Sequence, residues 1–139
     1  MSEYLPQLIN PDGLYDPTPN GYSHIAIAPP EAKIIYISGQ GGEDKNGNLS
    51  TDFTVQLKQA FTNLRIALDA IDVHPKQVIK LTTLVVEHNE SKLQQLGAEV
   101  KAIWGEQTPT QTLIPVPRLA LDGMLFEVDA VVAIPNCSN

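Results

Sequence analysis

The sequence is short of most of what would place it in a membrane, outside the cell or on nucleic acid. Its one cysteine, Cys137, lies near the end, so neither a disulfide within the chain nor a cysteine metal cluster can form. The opening MSEYLPQLIN has no basic segment followed by an apolar core, so it does not read as a secretory leader. No apolar run approaches the roughly 20 residues needed to cross a bilayer. Basic residues are few and scattered: seven lysines and two arginines give a net charge of −7. That excludes the basic stripe expected of a nucleic-acid or anionic-membrane partner. His24, His74 and His88 share no metal-ligand spacing and read as structural or solvent-facing. The expectation is a soluble, cytoplasmic protein with no metal.

What is present suffices for one folded domain. The chain has 139 residues, 42% hydrophobic and 18% charged, so a core can form and disorder is not expected. Residues 1–19 carry four prolines and no sustained periodicity, and read as an extended N-terminal arm. Residues 20–135 form the domain and 136–139 a tail.

Within the domain, Tyr22 to Ala28 and Lys33 to Ser38 read as strands joined by the turn Pro29-Pro30-Glu31-Ala32. A helix follows, capped by Thr51 or Asp52, with Leu57, Ala60, Phe61, Leu64, Leu68 and Ile71 in one apolar stripe. VIKLTTLVV (Val78 to Val86) is apolar on both faces, as a central strand would be. A second helix runs from about Ser91 to Trp104, with Leu93, Leu96, Val100, Ile103 and Trp104 inward and Gly105 as its stop. TPTQTLIPVPR (residues 108–118) reads as an edge strand because of its prolines. Leu121 to Met124 is a turn, and Leu125 to Ile134 is the last strand.

The order β-β-α-β-α-β-β implies an α+β layer, a mixed sheet with two helices on one face. Alternation in the last strand puts Phe126, Val128, Ala130, Val132 and Ile134 under the helices. Leu125, Glu127, Asp129, Val131 and Ala133 face the other way. That second face is too apolar for water, so a symmetric oligomer is expected.

Read together, NGY (Asn20 to Tyr22), YISGQGG (Tyr36 to Gly42), VQLKQAFTNLRIAL, VIKLTTLVVEHNE and LFEVDAVVAIP resemble the RidA/YjgF family of reactive-intermediate deaminases. The resemblance covers roughly residues 20 to 134. It implies a chorismate-mutase-like fold, a homotrimer with a central barrel, and clefts between subunits. There, enamines or imines such as 2-aminoacrylate are hydrolysed to a 2-keto acid and ammonia, with no cofactor. On that alignment Glu127 is the water-positioning, catalytic carboxylate, and Tyr22, Ser38 and Gly39 fall on substrate-binding positions. The family's carboxylate-gripping arginine is Gln111 here, an asparagine on its second helix is Gly97, and a cysteine is Leu113. An alternative on the same fold is a non-catalytic trimer that holds a small metabolite. Chorismate-mutase chemistry needs cations around a dianion, and two arginines do not supply them.

Taken without the resemblance, Gln111 is an exposed polar residue on an edge strand, and Tyr22 simply packs. Glu127 is a solvated or ion-paired carboxylate, or a water-positioning one. SGQGG lacks a P-loop lysine and reads as a tight turn. Arginine binds a carboxylate through two parallel hydrogen bonds, whereas glutamine offers one uncharged amide. The exchange weakens carboxylate binding by roughly one to two powers of ten, so a neutral or less acidic ligand is expected. Arg118 does not replace the fork. It lies seven residues on, about 23 Å in extended chain, and an odd spacing turns it to the opposite side. It reads as an interface or surface ion pair.

Overall fold

The computed structural model describes residues 5–136. In chain order its elements are β1 (Gln7–Ile9), β2 (Ile25–Ile27), β3 (Lys33–Gln40), α1 (Phe53–Ala70), β4 (Val78–Val86), α2 (Glu90–Trp104), β5 (Thr110–Val116) and β6 (Phe126–Ile134). Short 3-10 turns at Thr18–Asn20 and Pro75–Gln77 complete them.

Each helix begins where a short polar side chain can take an orphan amide. Of the two candidate caps for α1, Asp52 is the one used, and its carboxylate accepts from Val55 N. Leu57, Ala60, Phe61, Leu64 and Leu68 are buried along one face. Ile71 is not part of that stripe: the helix stops at Ala70, and Ile71 is exposed. Helix α2 starts one residue earlier than expected, because Asn89 caps it by accepting from Lys92 N at 2.8 Å. Gly105, at φ 64°, ends it. Leu96, Val100 and Trp104 are buried, whereas Leu93 is 41% exposed, so the inner face is narrower than the sequence suggested.

The main sheet has the order β3-β6-β4-β5, with β4 and β5 parallel and the other pairs antiparallel. Interior position explains why β4 is apolar on both faces. At the edge, β5 tolerates Pro115 because a proline there removes no shared ladder bond. The expected first strand, Tyr22 to Ala28, is reduced to β2. It pairs not with β3 but with β1, inside the segment read as an extended arm. Pro29 and Pro30 break the ladder between β2 and β3. Asn10 Oδ1, accepting from His24 N at 2.8 Å, ties the ribbon's two strands together beyond their last pair.

The two helices cover one face of this sheet. Phe53, Phe61, Leu64 and Trp104 meet Leu81, Val85, Phe126, Val128 and Val132 in a single core. Phe61 packs edge-on to Trp104 and tilted against Phe126, and Trp104 Nε1 donates to Pro75 O at 2.7 Å. Each such side chain fully buried contributes about 1.5–3 kcal/mol. The opposite face is open. The strand registers place Tyr36, Val131, Leu84, Ile114, Glu127, Thr82 and Asp129 on it, and Tyr36 is 79% exposed. Among the described residues no helix is long and apolar enough to cross a membrane.

Candidate functional site

The seven residues singled out in the sequence divide between the two faces of the sheet. Parallel pairing of β4 and β5 sets Gln111 beside Leu81 and Leu113 beside Thr83, on the helix-covered side. Antiparallel pairing of β4 and β6 sets Glu127 beside Leu84, on the open side. Gln111 is on one edge strand, Ser38 and Gly39 on the other, so about 14 Å of sheet separates them at the usual strand spacing. One chain cannot bring Gln111 and Glu127 to the same small molecule.

On the helix side, Gln111, Leu113, Gly97 and Tyr22 share a cavity of about 360 Å³. Tyr15, Asn20, Leu93, Leu96 and Thr112 complete its wall. Leu93, Leu96 and Gly97 follow helical spacing, so α2 presents them together. Gly21, at φ 81°, turns the chain so that Asn20 and Tyr22 lie over α2. A Cβ at Gly21 would lie 3.4 Å from Gly97 Cα, so this turn sits tightly on the helix. A Cβ at Gly97 itself would meet only Asn20 O, at 3.6 Å, which is ordinary contact. Nothing in the local packing therefore demands glycine there.

Gln111 is half-buried. Its Oε1 accepts from Thr83 Oγ1 at 3.3 Å, and its Nε2 donates to Gly21 O at 3.5 Å. Both bonds are long, and one N–H with remaining lone-pair capacity stays unused. No charged side chain lines the cavity. Arg118 is elsewhere, held by Asp122 at 2.9 Å in an exposed pair.

The open side is acidic. A Cβ built at Gly39 would overlap the Glu127 carboxylate, so the absence of a side chain on β3 makes room for that group. Burial raises the Glu127 pKa above the ordinary glutamate value, and the neighbouring carboxylates Glu43 and Asp129 raise it further. Glu43 Oε1 is itself buried without a hydrogen-bond partner. The glycine turn beside it is fixed from α1: Asn63 Nδ2 donates to Gly41 O at 3.0 Å and to Glu43 O at 2.8 Å. Gln59 in turn donates to Asn63 Oδ1 at 2.9 Å. Ser38 is exposed on β3, with its carbonyl accepting from Gln40 Nε2 at 3.1 Å. SGQGG is therefore not the tight turn expected from the sequence: Ser38 to Gln40 continue β3, with an irregularity in its pairing between Ile37 and Gln40, and only Gly41 and Gly42 lie beyond the strand.

The histidines have local duties. His24 Nε2 bonds Tyr15 O at 2.8 Å, and His74 caps the turn at Pro75–Gln77. His88 Nδ1 is buried without a partner. Among the described residues no group of three or more histidine, cysteine or carboxylate side chains is placed to hold a metal. Tyr15, Asn20, Leu93, Leu96, Thr112 and Glu43 were not legible as site residues. The spacing of Leu93, Leu96 and Gly97 was a usable signal, whereas Tyr15 had none.

A family model described as endoribonuclease L-PSP matches residues 16–134. A crystal structure of YyfB from Yersinia pestis, described as a protein of unknown function of the conserved Rid protein family, is 30% identical. It superimposes with a TM-score of 0.88 over 93% of this chain and 98% of that one. The structure of protein YJGH is 23% identical, with a TM-score of 0.68 over 95% and 98% of the two chains. A member of the YjgF/YER057c/UK114 family from Mycobacterium tuberculosis is 19% identical, with a TM-score of 0.61 over 93% and 99%. These last two show a shared fold. No curated protein matches the chain.

Proposed function

The chain belongs to the endoribonuclease L-PSP family, the YjgF/RidA family, and from that premise we propose that it hydrolyses an imine or enamine in a cleft formed between copies. The observation that carries this reading is the division of the sheet: Gln111 faces one side and Glu127 the other. A site holding both needs the open face of one copy against the Gln111 edge of the next. A homotrimer supplies three such clefts and covers Tyr36, Ile114 and Leu84.

In such a cleft the substrate carbon–nitrogen double bond lies between the two groups. Glu127 orients a water molecule toward the imine carbon and takes its proton, for which a raised pKa is suited. The carbon–oxygen bond forms and Glu127 passes the first water proton to the nitrogen; the new hydroxyl then gives up the second as it becomes the carbonyl, the carbon–nitrogen bond breaks, and both protons leave with ammonia, so imine plus water gives carbonyl plus ammonia. Gln111 donates an N–H to the substrate's carbonyl or amide end. Tyr22, Leu113 and Gly97 bound that end, while Ser38 and Gly39 bound the water side. With glutamine in the arginine position, the preferred substrate is neutral or weakly acidic rather than the 2-aminoacrylate anion.

RNA cleavage, which the family description names, has less to recommend it. Neither region carries a basic cluster, and the chain has a net charge of −7. A second reading, a trimer that binds a small metabolite without turnover, is favoured by the long bonds that already occupy part of Gln111.

The test is ammonia release from 2-aminoacrylate generated in situ, comparing wild type with Gln111→Arg and Glu127→Gln. Wild type should be slow. Gln111→Arg should gain at least about tenfold, the value of the restored charged bonds, and Glu127→Gln should lose it. A fully active wild type defeats the argument from the missing arginine. Light scattering should give three times the mass of one chain, and a monomer at micromolar concentration would remove the shared cleft.

A further inference from the structure

Tyr15 lies one residue before the stretch matched by the family model, yet it forms part of the Gln111 cavity wall. Its ring stands edge-on to Tyr22, with centroids 6.4 Å apart, and edge-on to His24 at 5.4 Å. Tyr22 and His24 are edge-on to each other at 5.5 Å, which closes a three-ring cluster. The hydroxyls of Tyr15 and Tyr22 touch. The segment that carries Tyr15 is held from several sides. His24 Nε2 donates to Tyr15 O, Asp16 Oδ1 accepts from Thr18 N and Oγ1, and Lys101 Nζ donates to Pro19 O. Such fixing puts an aromatic side chain over the cavity at little further entropic cost to a ligand.

We propose that the Gln111 cavity takes an uncharged, planar ligand with an aromatic or unsaturated body and one carbonyl or amide end, and that Tyr15 selects for it. This rests on the placement of the substrate end in the Gln111 cavity made above.

The chemistry of the wall carries the argument. Leu93, Leu96 and Leu113 contribute apolar surface, and Tyr15 and Tyr22 contribute aromatic rings that stand at 67° to each other, so one of the two can lie flat against a planar body. Between such walls a planar body makes closer contact than a puckered one, and aromatic pairs add directional attraction. The polar side chains of the wall are all neutral: Gln111, Asn20 and the two tyrosine hydroxyls, the Thr112 hydroxyl being turned to the open face, where Lys80 Nζ donates to it at 2.6 Å. A carboxylate entering would shed water and find no cation, which disfavours it. A carbonyl or amide finds matching donors and acceptors. Only one hydroxyl hydrogen can lie between Tyr15 and Tyr22, so the other is free for a ligand oxygen. The volume of about 360 Å³ fits a small molecule.

Calorimetric titration of the full chain with three probes tests this. Benzamide is planar and neutral, benzoate is its anionic counterpart, and cyclohexanecarboxamide is neutral but not planar. Benzamide should bind, and each of the others should be weaker by at least about tenfold. Tyr15→Ala should weaken benzamide by about tenfold and leave benzoate unchanged, with an unaltered circular dichroism spectrum. Tyr15→Leu keeps apolar bulk without a flat face, and should abolish the preference for benzamide over cyclohexanecarboxamide. Benzoate binding as tightly as benzamide, no response to either Tyr15 variant, or no binding of any probe overturns the proposal. Because binding is read without turnover, an inactive protein that still prefers benzamide defeats only the catalytic reading. An active protein indifferent to Tyr15 defeats only this one.

Discussion

The Gln111 cavity and the Glu127 face belong to one sheet, but their surroundings are opposite in chemistry. The first is bounded by leucines, amides and tyrosine hydroxyls, with no charge, and is partly roofed by the segment that precedes the family match. The second is open, and there partial burial, followed by the neighbouring Glu43 and Asp129, pushes the Glu127 carboxyl upward in pKa. Alternation along the strand creates the contrast, because successive residues cannot share a face. The lesson is that a reactive carboxylate and a selective neutral cavity can be built independently, and association of copies would then join them.

The comparison can be broken most strongly from the acidic side through Gln56. This residue is fully buried, donates to Ser50 O at 2.7 Å and Gly123 O at 2.8 Å, and accepts from Leu125 N at 2.8 Å. Gln56→Leu keeps the bulk but strands three backbone groups, and should cost about 3 kcal/mol or more in urea unfolding. Amide exchange should rise first around Leu125 to Val128 and leave Gln111 protected. Equal loosening at both places would show that the two regions are not independent.

From the neutral side the corresponding change is Gly21→Ala. A side chain at φ 81°, set 3.4 Å from Gly97 Cα, should cost about 1–2 kcal/mol. The urea midpoint should fall, and benzamide binding should weaken while the titration of Glu127 stays unchanged.

The smallest effect sharpens the contrast through pH. The folded pKa of Glu127 is raised, first by burial and then by Glu43 and Asp129. Its contribution to stability is therefore present below the unfolded value and is lost as pH rises through the folded one. Glu127→Gln should leave the thermal midpoint unchanged near about pH 4 and raise it slightly near neutrality. The gain should be below about 1 kcal/mol, because the group is largely solvated. A loss of stability at neutral pH would mean that the carboxylate is held by a favourable partner instead.

The elements that matched expectation are those with long periodic patterns. The stripe Leu57 to Leu68 and the alternation Phe126 to Val132 each needed only a repeat of the right period to name the buried face. What failed was short or local. Tyr22 to Ala28 has strand composition, but its partner came from residues 7–9, whose three-residue strand carries no periodic signal. Ile71 fitted the stripe by spacing but fell beyond the end of the helix. Gln111 and Glu127 were both named, yet their placement on opposite faces was not, because pairing register is a property of two strands and not of either one.

The sequence by itself determined the order of elements from β2 onward, the start of α1 at Thr51 or Asp52, the identity of the core rows and the glutamine in the arginine position, since each depends on residue type and local spacing. Only the tertiary structure decided that the arm becomes a strand and contributes Tyr15, that Gly39 makes room for Glu127, and that the neutral and acidic groups face apart. Those outcomes depend on which distant segments meet, and contacts between residues dozens of positions apart leave no mark in a local pattern.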